Sequence, residues 1–352
     1  MVTRDSSKNT RTEISKGGQA MKSNFLALLV LLCCSWLQGG DPPADLKYAR
    51  RATRDETRKA TLDAHENPGE RIRALLDYQL DGDFPGNEED KYYRILTLPL
   101  PEGVQLEPGG IEIDGKGRIF VSTRIGDIWM IENALELPPY RPEYSLYASG
   151  LHEVLGLARR GDWLYATQRG EITRIKDIDG DDRGDIFEVV SDGWEIGGDY
   201  HEYAFGSKFD DEGNIWVVLC LTGSFSSQHL FRGWSVKVSA DGKMVPMAGG
   251  LRSPAGLEIA PWGDVFYTDN QGDWMPVCPV FAVQKGGFYG HPASLRWFEG
   301  QLDVEPSDTQ PPTVEREHPI LWIPYQWSRS TGNIIQDKTG GKFGPFENQY
   351  FI

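Results

Sequence analysis

The sequence predicts an all-β chain folded as a β-propeller, and three observations carry that reading. Forty Gly and 22 Pro accompany 11 Trp, 14 Tyr and 15 Phe. So many turn formers and aromatics suit short strands better than long helices. A Gly turn followed by an aliphatic–aromatic strand then recurs four times: Asp114-Gly115-Lys116-Gly117-Arg118-Ile119-Phe120-Val121, Arg160-Gly161-Asp162-Trp163-Leu164-Tyr165-Ala166, Asp211-Glu212-Gly213-Asn214-Ile215-Trp216-Val217 and Pro261-Trp262-Gly263-Asp264-Val265-Phe266-Tyr267. Finally, the aromatics Phe120, Tyr165, Trp216 and Phe266 fall 45, 51 and 50 residues apart. Periods of about 40–50 residues around a turn–strand core mark propeller blades, small sheets that bury their faces only by stacking on neighbours.

The repeat occupies residues 91–352. Another Gly-Pro turn at Gly344-Pro345-Phe346 leads into Tyr350-Phe351-Ile352, after an excursion over residues 275–340. That gives about four blades and part of a fifth. Such a set would leave sheet edges unpaired, so the expectation is an incomplete propeller.

Residues 41–90 are charge-rich and poor in β-branched residues. They read as a mostly helical or disordered arm, with Arg71-Ile72-Arg73-Ala74-Leu75-Leu76 the best helical piece and Asn67-Pro68-Gly69 an interruption. Residues 1–40 read as a targeting region. Phe25 to Trp36 is apolar throughout, too short for a membrane span of roughly 20 residues and the right size for a signal-peptide core. Lys22 supplies the positive flank, Gln38-Gly39-Gly40 the small residues for cleavage, and Met21 a second candidate start. The expected destination is the periplasm or cell envelope.

Charge narrows the partners. Five of the 36 basic and two of the 52 acidic residues lie in 1–40, so the remainder carries 31 against 50. A chain this acidic repels nucleic acid and suits cations, neutral sugars and soluble partners. Beyond the apolar run only Cys220 and Cys278 remain, as one disulfide or two buried thiols, and no Cys-x-x-Cys-His occurs.

Two constellations carry chemistry. In Asp177-Ile178-Asp179-Gly180-Asp181-Asp182-Arg183-Gly184-Asp185, the carboxylates of Asp177, Asp179, Asp181 and Asp185 can converge on one hard cation such as Ca²⁺. Asp182 stands where an EF-hand loop needs Gly, and the preceding residues read as strand, so this is a propeller-type loop. A solvated acidic turn is the alternative. The second is Gly198-Asp199-Tyr200-His201-Glu202-Tyr203, ahead of the third blade strand. His201 sits among carboxylates and aromatics, a setting that tunes an imidazole for proton abstraction, although a lone His is more often structural.

The fourth unit reads Leu251-Arg252-Ser253-Pro254-Ala255-Gly256-Leu257, continues through Thr268-Asp269-Asn270-Gln271-Gly272-Asp273, and is followed by Gly287-Phe288-Tyr289-Gly290-His291-Pro292. These stretches resemble the soluble quinoprotein glucose/sorbosone dehydrogenases. From about residue 110 onward the chain is similar to one branch in particular, exported bacterial proteins classed as membrane-bound dehydrogenases that often continue into a haem-binding cytochrome c domain. The resemblance implies a six-bladed propeller that uses pyrroloquinoline quinone and Ca²⁺ to oxidise a sugar or polyol, passing electrons to a cytochrome c domain or protein. It implies that His201 is the catalytic base and that Arg252 contacts the quinone and assists catalysis. It further implies that Gln271, Gly272 and Asp273 belong to the cofactor site, the last two through backbone carbonyls on its calcium. Departures are visible: the family's Asn after the arginine is Ser253 here, the Pro of its Gly-Pro is Asp273, which keeps the carbonyl, the spacing from His201 to Phe209 is one residue longer, and its turn Trp is His291, read as structural. Because His201 and Arg252 precede matching strands of adjacent blades, they are expected to face one axial space. The quinone's remaining clamps come from later blades, so the 352-residue chain alone is expected to be inactive. The rival reading is a non-catalytic propeller that binds glycans or protein partners, with calcium as a structural ion.

Overall fold

The computed structural model describes residues 98–134, 142–273, 275–299, 314–344 and 346–352. The targeting and arm readings of residues 1–40 and 41–90 lie outside them. Four antiparallel four-stranded sheets follow one another along the chain. The first holds β1 Pro108–Ile113, β2 Ile119–Thr123, β3 Ile128–Glu132 and β4 Glu143–Ala148. The second holds β5 Gly156–Arg160, β6 Trp163–Thr167, β7 Ile172–Lys176 and β8 Ile186–Ser191. The third holds β9 Ala204–Phe209, β10 Ile215–Leu219, β11 Trp234–Val238 and β12 Met244–Gly249. The fourth holds β13 Gly256–Ile259, β14 Val265–Thr268, β15 Cys278–Ala282 and β16 Leu321–Ile323, and a two-stranded sheet of β17 Ile335–Gln336 and β18 Tyr350–Phe351 begins a fifth. A short 3-10 helix, Pro292–Trp297, lies in the excursion before β16.

The repeat is a hairpin. Gly117, Gly161, Gly213 and Gly263 all take positive φ, between +59° and +92°, the conformation a glycine adopts without steric cost. In three of the four hairpins the same two backbone bonds close the turn, for example Asp210 N–H to Asn214 O at 2.9 Å and Gly213 N–H to Asp210 O at 2.9 Å. The aromatic strand that follows is therefore the second strand of each blade. The axis is lined instead by the first strands: β5 packs between β1 and β9, and β13 between β9 and β17. They approach so closely that a Cβ on Gly156 would stand 2.4 Å from Gly206 O, and one on Gly110 2.8 Å from Leu157 N.

Period-2 alternation then shares each second strand between two interfaces. On β10, Ile215, Val217 and Leu219 pack with Tyr165 and Ile172 of the preceding blade. Trp216 and Val218 pack with Leu257, Val265 and Tyr267 of the next. The repeated aromatic turns to the following blade: Tyr165 meets Phe209 at 4.9 Å and Phe266 meets Tyr350 at 5.8 Å, both edge to face. Strands buried on both faces explain why the repeat reads as nearly continuous apolar runs. On β1, Ile111 and Ile113 are exposed, whereas Leu257 at the matching place on β13 is fully buried.

Candidate functional site

His201 lies three residues before β9 and Arg252 four before β13, the matching place at the entry to two adjacent axial strands. Both line one cavity of about 590 Å³. Tyr203 and Phe205 form its aromatic wall, Asn270 and Gln271 supply amides, and Phe225, Arg329 and Ser330 complete it.

The His201 segment is held by its backbone. Asp199 Oδ1 accepts the His201 N–H at 2.8 Å and lies 4.0 Å from Nδ1, and the imidazole packs on the Tyr200 ring at 4.0 Å. Beneath it, fully buried Arg232 donates to three carbonyls: Glu195 O at 2.9 Å, Tyr203 O at 3.0 Å and Arg169 O at 2.9 Å. Arg169 in turn donates to the carbonyls of Asp199 and Glu202. The Glu202 carboxylate is fully buried and accepts from Thr222 Oγ1 at 2.6 Å and from the Gly197 N–H. Burial pulls the Arg232 guanidinium down to about 10, opposed by the Glu202 charge, so it stays protonated at neutral pH.

Arg252 is fixed from the opposite side. The buried Asp269 carboxylate accepts the N–H groups of Arg252, Ser253 and Asn270 at 2.9, 2.7 and 2.8 Å. Burial raises Asp269 to about 6 against the pull of those donors. The Arg252 guanidinium lies on Gly272, where a Cβ would come within 2.3 Å of Nε. Nη1 donates to Gln271 O at 3.4 Å and Nε stands 3.6 Å from Asp273 Oδ2, but Nε is buried and makes no hydrogen bond.

The structure thus brings His201, Arg252 and Gln271 to one cavity. It leaves Gly272 and Asp273 exposed behind Arg252, outside the lining, and the Gly272 carbonyl already accepts the Met275 N–H at 3.0 Å. Ser253, in the place of the family's Asn, pairs its hydroxyl with Ser224 at 3.0 Å. His291 is buried beyond Asp273, with Nε2 4.0 Å from Oδ2. Its Nδ1 accepts the Ala293 N–H at 3.2 Å and caps the 3-10 helix, and burial lowers it to about 4. Cys220 and Cys278 are both free, buried thiols.

Sequence reasoning missed Arg169, Arg232, Arg329 and Asp269. The one local signal for Arg232 is a charge between Phe231 and Gly233-Trp234, directly before a buried strand. Arg329 comes from the excursion before β17 and reaches the cavity only through the tertiary fold.

The acidic loop is the turn between β7 and β8. One carboxylate oxygen each from Asp177, Asp179 and Asp185 lies within 4.8 Å of the others. Asp181 instead accepts the Arg183 N–H at 2.9 Å. Asp182 takes φ +65°, the glycine-like conformation, and pairs with Arg118 of the first blade at 2.6 Å. Asp and Asn are the side chains that best tolerate that region.

No protein-family model matches the chain, and no curated protein sequence does. Among solved structures, similarity extends to a Thermus thermophilus protein named as an oxidoreductase (glucose dehydrogenase), at 18% identity and TM-score 0.47 over 65% of this chain and 72% of that one. The pyrroloquinoline-quinone-bound aldose sugar dehydrogenase of Streptomyces coelicolor matches at 17% identity and TM-score 0.46, over 66% and 72%. The pyranose dehydrogenase quinone domain of Coprinopsis cinerea matches at 12% identity and TM-score 0.44, and the chain spans about half of its length, with coverage of 53% and 54%.

Proposed function

We propose that this chain is the propeller of a quinone-dependent sugar or polyol dehydrogenase acting on CH–OH groups. One observation carries the reading: His201 and Arg252, at matching places in adjacent blades, line a single cavity that also holds aromatic faces and a second guanidinium, Arg329. This donor set fits a flat polyanion such as pyrroloquinoline quinone. Arg252, Arg329 and the Gln271 amide all line the cavity, and guanidinium groups are the preferred donors to planar carboxylates. Arg252, Gln271 and Arg329 would hold the group, which supplies a hydride acceptor when bound.

The chain's own residues would then divide the work. A neutral His201 imidazole takes the substrate hydroxyl proton on nitrogen, and the Asp199 carboxylate beside it stabilises the resulting positive charge. Arg252 sets a fixed positive charge where negative charge grows. Electrons leave to a cytochrome c domain or protein. Ca²⁺ belongs to the Asp177, Asp179 and Asp185 oxygens, with backbone carbonyls and water completing about 6–8 ligands. Residues 21–40 direct export to the periplasm or envelope.

A second reading, a non-catalytic propeller that binds glycans or proteins, draws support from the Ser253–Ser224 pairing and from the Gly272 carbonyl already engaged by Met275. Quinone binding separates the two. The chain would be titrated with pyrroloquinoline quinone in the presence of Ca²⁺. The dehydrogenase reading expects a saturable absorbance change that Arg252→Ala weakens. No absorbance change leaves the binding reading.

A further inference from the structure

Two exposed aromatic rings stand beside His201. Tyr200 and Phe225 are each 63% exposed, and Phe225 lines the cavity. A single exposed ring is ordinary on a protein surface, but the segments that carry these two are tied to each other. The Thr222–Ser226 turn is closed by Phe225 N–H and Ser226 N–H donating to Thr222 O at 3.1 and 3.0 Å. Within it Ser224 adopts φ +65° and its hydroxyl meets Ser253 Oγ, next to Arg252. Asp199 Oδ1 accepts both the His201 N–H and the Gly223 N–H, at 2.8 and 2.9 Å. One carboxylate oxygen therefore ties the Phe225 turn to the Tyr200–His201 segment.

The other oxygen of Asp199 receives no hydrogen bond from the described residues. A Cβ on Gly223 would stand 3.5 Å from Asp199 Oδ2 and 3.7 Å from Phe225 Cδ2, so an unengaged acceptor and an aromatic ring flank the same notch. A pyranose ring matches that pair: its axial C–H bonds pack on an aromatic face and its hydroxyls donate to a carboxylate. Backbone already fixed by its turn loses little freedom when a ligand stacks on the ring it carries.

We infer that Phe225, Tyr200 and Asp199 Oδ2 form a second saccharide subsite beside His201, so that this chain takes oligosaccharides of at least two pyranose units in preference to the free monosaccharide. The inference rests on the sugar reading of the cavity, and it is independent of the quinone.

Calorimetric titration of the full 352-residue chain, with no quinone added, tests it. The probes are cellobiose, maltose and xylobiose, each against its own monosaccharide. At least one disaccharide is expected to bind about tenfold more tightly than its monosaccharide. Phe225→Ala should remove that preference and leave the melting temperature unchanged, and Phe225→Tyr should restore it. Equal affinities, no saccharide binding, or a preference that survives Phe225→Ala overturns the subsite. If the preference depends on Phe225 but quinone never binds, the dehydrogenase reading fails and the subsite stands. If quinone binds and the preference is absent, only the subsite fails.

Discussion

The Arg252 guanidinium rests on the backbone of Gly272, with Nε only 2.3 Å from where a Cβ on residue 272 would stand. Room for that guanidinium therefore depends on the absence of a side chain at residue 272. Gly272→Ala is expected to swing the flexible Arg252 side chain aside at a cost under about 1 kcal/mol, because only its far end has to move. Quinone affinity should fall as far as it does in Arg252→Ala, and the double variant should be no worse than either single one. Absorbance titration of the three variants checks this; independent, additive losses would separate the two residues.

Arg232 donates to three carbonyls from one buried guanidinium. Removing it leaves the Glu195 carbonyl without its donor, leaves Tyr203 O and Arg169 O with only the Cys220 N–H and the Trp194 Nε1–H, and takes away a buried positive charge that faces Glu202. Arg232→Met should lower stability by about 3–5 kcal/mol, read as a lower urea midpoint. Arg232→Lys should recover little, since a single ammonium cannot span three divergent acceptors.

The Asp177, Asp179 and Asp185 cluster should make the melting temperature depend on calcium, because an ion bound only by the native state stabilises it by mass action. EDTA should lower the transition and Ca²⁺ restore it, and Asp179→Ala should abolish the response. Asp181→Ala should matter less, because its carboxylate lies outside the group of three whose oxygens converge. A transition indifferent to EDTA counts against the ion.

His291 should give the fold an acid limb. Burial lowers its folded-state value to about 4, below that of the unfolded chain. Between those values the unfolded state binds a proton that the native state does not, so stability rises with pH there. It is present above the unfolded value and lost as pH falls toward 4. The shift corresponds to about 3 kcal/mol. Urea midpoints measured from pH 7 to pH 4 should fall more steeply in the wild type than in His291→Gln.

Much of the blade repeat was legible because it is local. The hairpin glycines and the aromatic that follows recur at a fixed spacing, and both carry their structural reason in their own side chains, a positive φ and a face turned to the next blade. The position of that strand within the blade was less legible. The aromatic marks the second strand, whereas the axial strands β5 and β13 open on Gly156 and Gly256 and β9 contains Gly206, glycines that spacing alone reads as turns. At the site, His201 could be named from the carboxylates and aromatics around it, and Arg252 only through the family resemblance of the Leu251–Leu257 stretch. Arg329, Arg232 and Asp269 could not, since their roles depend on backbone groups far away in the chain. Asp181 shows the same limit: alternate carboxylates in a loop suggest convergence, but only Asp177, Asp179 and Asp185 bring oxygens together, and spacing alone does not tell the fourth apart.

The central claim is that Arg252 and His201 address one ligand in a shared cavity, and equilibrium titration of pyrroloquinoline quinone into the chain tests it most directly. The account predicts a saturable absorbance change that Arg252→Ala weakens at least tenfold, the scale of one lost charged hydrogen bond of about 1.5–3 kcal/mol, and that Asp179→Ala leaves unaltered once Ca²⁺ is saturating. An absorbance change of equal affinity in the wild type and Arg252→Ala, or none in either, would contradict it.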